Sequence, residues 1–258
     1  LYFTSYGGFL VKSKIGIAML VVGMLIVFQG SCIAVNPGTA ISGALMHGIR
    51  NPAGLQGLVT PEFSMQLRIV SGESQQYQIS YAEPDYGTGA GLLHILYQES
   101  LRQITYSVAA DLLETTDAGV ALHYISVPEP GNKYISTDLG LQLNLDHLSW
   151  LRFGLLVENF WHLKLGETET ALPTNVTIGA AVDLAGYGVL ALDINDAWNI
   201  NSARKLLAGV ELYPTPDLAL RARWIDSLGL GIGYTHQQMR IDYDWAAGEH
   251  QLCFRWQF

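Results

Sequence analysis

From about residue 61 to its last residue, the chain alternates apolar and polar side chains with a period of two and never settles into a helical period. Period two puts successive side chains on opposite faces of an extended strand. The closing stretch shows it most plainly. Leu252, Phe254, Trp256 and Phe258 share one face, and Gln251, Cys253, Arg255 and Gln257 share the other. The same alternation runs through "FSMQLRI", "QYQISY", "ITYSVAADL", "DLGLQLNL", "LRFGLLVE", "NVTIGAAVD", "LGLGIGYT" and "QMRIDYDW", with weaker versions between them. The segments number roughly 14, each near the 9–11 residues that a tilted transmembrane strand needs.

A soluble sandwich also alternates, but its polar face meets water and carries many charges. Here charged residues are only 14% and apolar ones reach 49%, against roughly 25% charged in soluble proteins. The polar face carries Gly, Ala, Ser, Thr, Gln and Asn with scattered charges of both signs: Arg68, Asp138, Arg152, Glu158, Asp183, Asp193, Arg221, Arg223, Arg240, Asp242 and Arg255. Opposite charges facing one another across a narrow lumen can pair. Aromatic residues recur at strand ends, at Tyr81, Tyr97, Tyr124, Trp150, Tyr213, Trp224, Tyr234 and Trp245, as in interfacial girdles. The fold expected is all-β, a transmembrane antiparallel β-barrel, with those charged residues facing the lumen.

Lys12 and Lys14 precede the apolar run Ile15 to Phe28, and small residues follow. That is the anatomy of a secretory signal peptide over 1–34; a retained anchor helix and a lipoprotein signal with Cys32 lipidated are the alternatives. Residues 1–10 do not fit such a signal, so Val11 is read as the true start. Residues 35–60 are expected to form a plug-like segment in the lumen, and 61–258 the barrel. Connections expected outside, such as Val127–Lys133, Phe160–Pro173 and Asp196–Ala203, are longer than most of those expected inside, the bacterial pattern. The nine-residue stretch 82–90 is long on the wrong side.

"NPAGL", Asn51 to Leu55, resembles the NPA segment near the mature N-terminus of the FadL family of outer-membrane transporters for hydrophobic compounds. "FGLLVENF", "LPTNVTIGAAVD", "LALDIND", "LLAGVELYPTPDLALRARW", "LGLGIGY", "IDYDW" and "HQLCFRWQF" follow in an order that resembles PorV-like barrels of the same superfamily. The resemblance implies a 14-stranded barrel in the outer membrane of a diderm bacterium. It also implies a lumenal N-terminal segment, with Asn51, Pro52 and Ala53 as plug or gating candidates. The final Phe258 is implied as the assembly signal read by the barrel-assembly machinery. The chain is short for that family, with small outer loops.

The expected function is a channel for small hydrophobic compounds or solutes; the alternative is a PorV-like scaffold or secretion-accessory barrel without transport of its own. Partners expected are outer-membrane lipid, the assembly machinery and a small hydrophobic ligand. The net charge of −9 argues against nucleic acid. The seven histidines are scattered and no nucleophile–base motif is present, so no enzyme is expected, and no catalytic residue, cofactor or metal is assigned. The row Gly229, Gly231 and Gly233 has two readings: it clears the interior, or it lets the sheet bend.

Overall fold

A computed structural model describes residues 50–70, 75–128, 131–166, 172–197, 205–224 and 227–258. The expected signal peptide, the start at Val11 and most of the expected plug segment lie outside these residues.

A short 3-10 helix, η1 (Pro52–Gly57), precedes fourteen strands. In order these are β1 (Glu62–Val70), β2 (Gln76–Glu83), β3 (Ala90–Gln98), β4 (Leu101–Leu113), β5 (Thr116–Val127), β6 (Asn132–Asn144) and β7 (Leu151–Lys164). The second half comprises β8 (Asn175–Asp183), β9 (Gly188–Asn195), β10 (Lys205–Thr215), β11 (Leu218–Trp224), β12 (Leu228–His236), β13 (Met239–Ala246) and β14 (Glu249–Gln257). Every strand pairs antiparallel with its sequence neighbours, and β1 closes the barrel on β14 with Phe63 opposite Trp256 and Leu67 opposite Leu252. Closure leaves no sheet edge unpaired, which is what lipid demands.

The alternation sorts side chains as a membrane barrel requires. On β13, Met239, Ile241, Tyr243 and Trp245 are exposed, while Asp242, Asp244 and Ala246 are buried. Outward apolar side chains and buried polar ones invert the soluble arrangement. Seven of the eight girdle candidates are exposed: Tyr81, Tyr97, Tyr124, Trp150, Trp224, Tyr234 and Trp245. Tyr213 is the exception. It keeps the inward parity of Leu207, Gly209 and Glu211 and is half-buried beside Glu211, Arg240 and Arg221.

One other expectation is corrected. β7 does not stop before Phe160 but runs to Lys164. It carries a bulge opposite Asp138, where Asn159 takes φ 52° and donates its N–H to Asp138 Oδ1 at 2.8 Å. The bulge interrupts the alternation at Asn159 and Phe160, which hides the strand's continuation from pattern reading, although Trp161 and Leu163 resume the outward parity of Val157. Asp183 ends β8 on the inward parity of Thr177, Gly179 and Ala181, where it is exposed and accepts the Gly186 N–H at 3.0 Å, capping the turn. The long connection after β2 is an ordered loop. Asp85 Oδ1 accepts the N–H groups of Gly87 and Gly89 at 2.6 and 2.8 Å, with those glycines at φ 95° and 102°.

Candidate lumenal site

Asn51 starts η1 as its N-cap, with Pro52 at the first helical position, where a missing N–H costs nothing. Asn51 Oδ1 accepts the Ala53 N–H at 3.1 Å. Its Nδ2 reaches the barrel wall, donating to the carbonyls of Leu141 (3.3 Å) and Leu155 (3.5 Å), which face each other across β6 and β7. One side chain thus caps the helix and fastens it to the wall.

The wall is shaped to take it. Gly119 and Gly140 are register partners on β5 and β6. A methyl group on Gly119 would collide with the backbone of Pro52 and Ala53, and one on Gly140 with the Asn51 side chain and the Pro52 ring. These glycines are a dimple that the helix fills. Beyond it, Leu55 and Leu58 pack with Ala82, Ala90, Leu92 and Ala109 from β2, β3 and β4. Asn51, Pro52 and Ala53 are all buried.

The opposite wall, β10 to β14, is charged. Arg221 binds Glu211 at 3.1 Å, Asp244 at 3.1 Å and Asp242. Arg240 binds Glu211 and Asp242, each at 2.8 Å, and Arg255 binds Asp242 at 2.7 Å. Asp242 therefore sits among three arginines. The neighbouring strand gives these side chains room: a methyl group on Gly231 would overlap the Asp244 carboxylate, and one on Gly233 would overlap Asp242 and Arg221. The glycine row of β12 clears space for charges.

The remaining lumen-face candidates are spread along the inner wall rather than gathered. Arg68 makes a two-pronged pair with Glu249, 2.9 Å to each oxygen. Glu158 accepts from Asn175 at 2.7 Å. Arg223 is half-buried, with Arg50, Glu249, Arg68 and Asp244 as its charged neighbours, and Arg152 is half-buried near the start of β7. Asp138 receives His123 Nε2 at 2.8 Å.

That last contact belongs to a network the sequence did not disclose. His123 Nδ1 lies 2.8 Å from Thr105 Oγ1 and 3.0 Å from Gln103 Nε2. A second chain links Gln98, Gln76, Gln78 and His94. Hydroxyl, imidazole and carboxylate stand in line at Thr105, His123 and Asp138, an arrangement that no local motif announces. Thr105 is only 1% exposed and also accepts from Gln103, so the hydroxyl is held as a member of the network. The signal available was register: Thr105, His123 and Ser136 oppose one another across β4, β5 and β6. Among the described residues no group of His, Cys, Asp and Glu is placed to hold a metal ion.

The closed barrel has counterparts among solved structures. A crystal structure of the Pseudomonas putida toluene transporter TodX aligns over 89% of this chain and 98% of its own, with a TM-score of 0.60 at 12% identity. A TodX deltaS2S3 mutant monoaromatic hydrocarbon channel gives 0.62 over 87% and 97%, also at 12% identity. The CymD monoaromatic hydrocarbon channel gives 0.59 over 86% and 94%, again at 12%. The likeness is one of fold. No family model and no curated protein matches the sequence.

Proposed function

We propose that this chain is an outer-membrane channel for small solutes whose lumen is gated by the segment ending in η1. The observation that carries the reading is the seat of Asn51–Ala53 in the Gly119/Gly140 dimple. The helix is no part of the sheet's hydrogen-bonded ladder; it rests on Asn51, the glycine cradle and the packing of Leu55 and Leu58, contacts that can be released without opening the barrel. The likeness to hydrocarbon channels supports small, largely apolar solutes as cargo, and the apolar patch around Leu55 supports it independently. Exposed apolar strand faces and the closed edge support a lipid environment.

The test compares the full chain with a variant lacking residues 35–57 in planar bilayers. Conductance should rise several-fold while the variant remains heat-modifiable on a gel. A folded variant that still does not conduct favours the scaffold reading, in which the barrel holds a partner and passes nothing.

Phe258 belongs to the same proposal as the assembly handle. Its N–H donates to Pro61 O at 3.1 Å, and its ring meets Trp256 edge-on with centroids 5.0 Å apart. At 44% exposed it contributes little inner packing. Deleting it should slow insertion in cells and leave folding into detergent unchanged. Parallel losses in both would reduce Phe258 to a packing residue.

A further inference from the structure

The apolar patch under η1 has a polar border. Leu92 of β3 opposes Ser107 of β4, and the next interior pair along is His94 with Thr105. Ser107 and His94 are 0% and 2% exposed, and neither Ser107 Oγ nor His94 Nδ1 has a hydrogen-bond partner among the described residues. Buried polar atoms are nearly always paired, so two unpaired ones set diagonally on adjacent strands call for a ligand.

The state of His94 follows from its neighbours. Gln78 donates from Nε2 to Gln76 Oε1 at 3.3 Å, which turns its own Oε1 toward His94 Nε2 at 3.2 Å. Nε2 then carries the proton, and Nδ1 is left a bare acceptor. Ser107 Oγ can donate or accept. Beside them the wall is apolar and small: Leu92, Ala109 and Ala90, with Leu55 of η1 packed into the same cluster.

We infer that Leu55 occupies a solute site, and that the solute this site takes is a small apolar body bearing one O–H group, of the phenol class. The apolar body replaces the Leu55 side chain against Leu92 and Ala109. The hydroxyl donates to His94 Nδ1 and accepts from Ser107 Oγ. Plug and solute then compete for one pocket, so entry of the solute favours withdrawal of η1. This rests on the channel reading for its purpose, but its evidence is separate.

Phenol and toluene are nearly equal in size and differ in the hydroxyl, so they make the test. Each is titrated calorimetrically into detergent-solubilised full-length protein, with the heat of empty micelles subtracted. Leu55→Ala removes the competitor and leaves an apolar cavity, a setting known to admit a benzene-sized ligand. Leu55→Ala should bind phenol about tenfold more tightly than the wild type does, and phenol about tenfold more tightly than toluene, the worth of one good hydrogen bond. Adding His94→Leu should erase the preference for phenol and leave toluene binding in place. If that double variant fails the heat-modifiability check, Ser107→Ala in the Leu55→Ala background takes its place and should shrink the preference.

Equal binding by wild type and Leu55→Ala overturns the shared pocket. A preference for phenol that survives both His94→Leu and Ser107→Ala overturns the hydroxyl assignment. Conductance is measured separately. A conducting barrel with no Leu55→Ala effect sinks only this inference, and a binding barrel that never conducts sinks only the channel.

Discussion

The two sides of the lumen use glycine for opposite ends. On β12, Gly231 and Gly233 make room for the wall's own charged side chains. On β5 and β6, Gly119 and Gly140 make room for another part of the chain. The charged side is complete in itself: Asp242 is 1% exposed, and three arginines converge on it. The neutral side is completed only when η1 is seated. One wall is therefore a brace and the other a berth, although the sequence of both reads as small and polar residues between apolar ones.

Breaking the brace should have the largest effect on stability and none on gating. Asp242→Ala takes a shared partner from three arginines: Arg221 keeps Glu211 and Asp244 and Arg240 keeps Glu211, but Arg255 loses its ion pair, and removing one partner of a buried charge network costs about 3–5 kcal/mol. Urea unfolding in lipid vesicles should show that loss, while protein that does fold should keep the wild-type conductance. A loss under about 1 kcal/mol, the range of surface pairs, would mean water reaches the network and the wall is no brace.

Breaking the berth should do the reverse. Gly140→Val places a branched side chain where Asn51 and Pro52 lie, and overpacking of this kind costs about 1–3 kcal/mol when nothing can move. If η1 leaves its seat as proposed, the strain should appear as an open channel. Single-channel recording should show long openings in Gly140→Val and none in Gly233→Ala, which crowds the charged wall instead. Openings in both would erase the distinction between the walls.

Which side a residue faces was legible from the sequence, because a strand's period fixes it. The period gave the approximate strand count and put Asp242 and Ile241 on opposite faces; the low charge content and the family resemblance were needed to turn the polar face inward and close the barrel. What each inward residue meets was not legible. Asp242, Arg221, Arg240 and Arg255 come from three strands, and their convergence depends on register and on the width of the lumen. Gly119 and Gly140 sit in "DAGVAL" and "DLGLQL" and look like any strand glycine until η1 lies against them. Thr105, His123 and Asp138 are on separate strands with no spacing to betray them. The bulge in β7 did the remaining damage: its two extra residues keep the parity but interrupt the alternation at Asn159 and Phe160, and the strand seemed to end there.

A finer probe of the berth is the fastening itself. Asn51→Ala removes the cap to Ala53 and both bonds to the wall, which are long at 3.3 and 3.5 Å. Caps of this type are worth about 0.5–2 kcal/mol. The seated state should lose population without the barrel losing stability, giving brief openings in place of the sustained ones of Gly140→Val. Asn51→Asp keeps the cap acceptor and loses the donor, so it separates the two jobs. Wild-type gating in Asn51→Asp would assign the effect to the cap alone.

The smallest effect is expected at the loop between β2 and β3, where the berth reaches the barrel's end. Gln56 of η1 donates to Asp85 Oδ2 at 3.4 Å, an exposed contact, while Asp85 Oδ1 holds the loop through Gly87 and Gly89. The Gly89 and Gly87 N–H groups, then the Gln56 amide, hold the Asp85 carboxyl below its ordinary value of 3.8. A lowered carboxylate value stabilises the fold above the ordinary value, and that contribution fades as pH falls through the lowered one. The loop should therefore stay closed from neutral pH down to the ordinary carboxylate range and loosen only in stronger acid. Limited proteolysis at 84–89 should quicken there in the wild type and already at neutral pH in Asp85→Ala. Gln56→Ala should leave the loop's proteolysis nearly unchanged and slightly shorten the closed times of the channel. If Gln56→Ala instead matched Asn51→Ala in gating, the helix would be held from the barrel's end rather than from the wall, and the berth would lie in the wrong place.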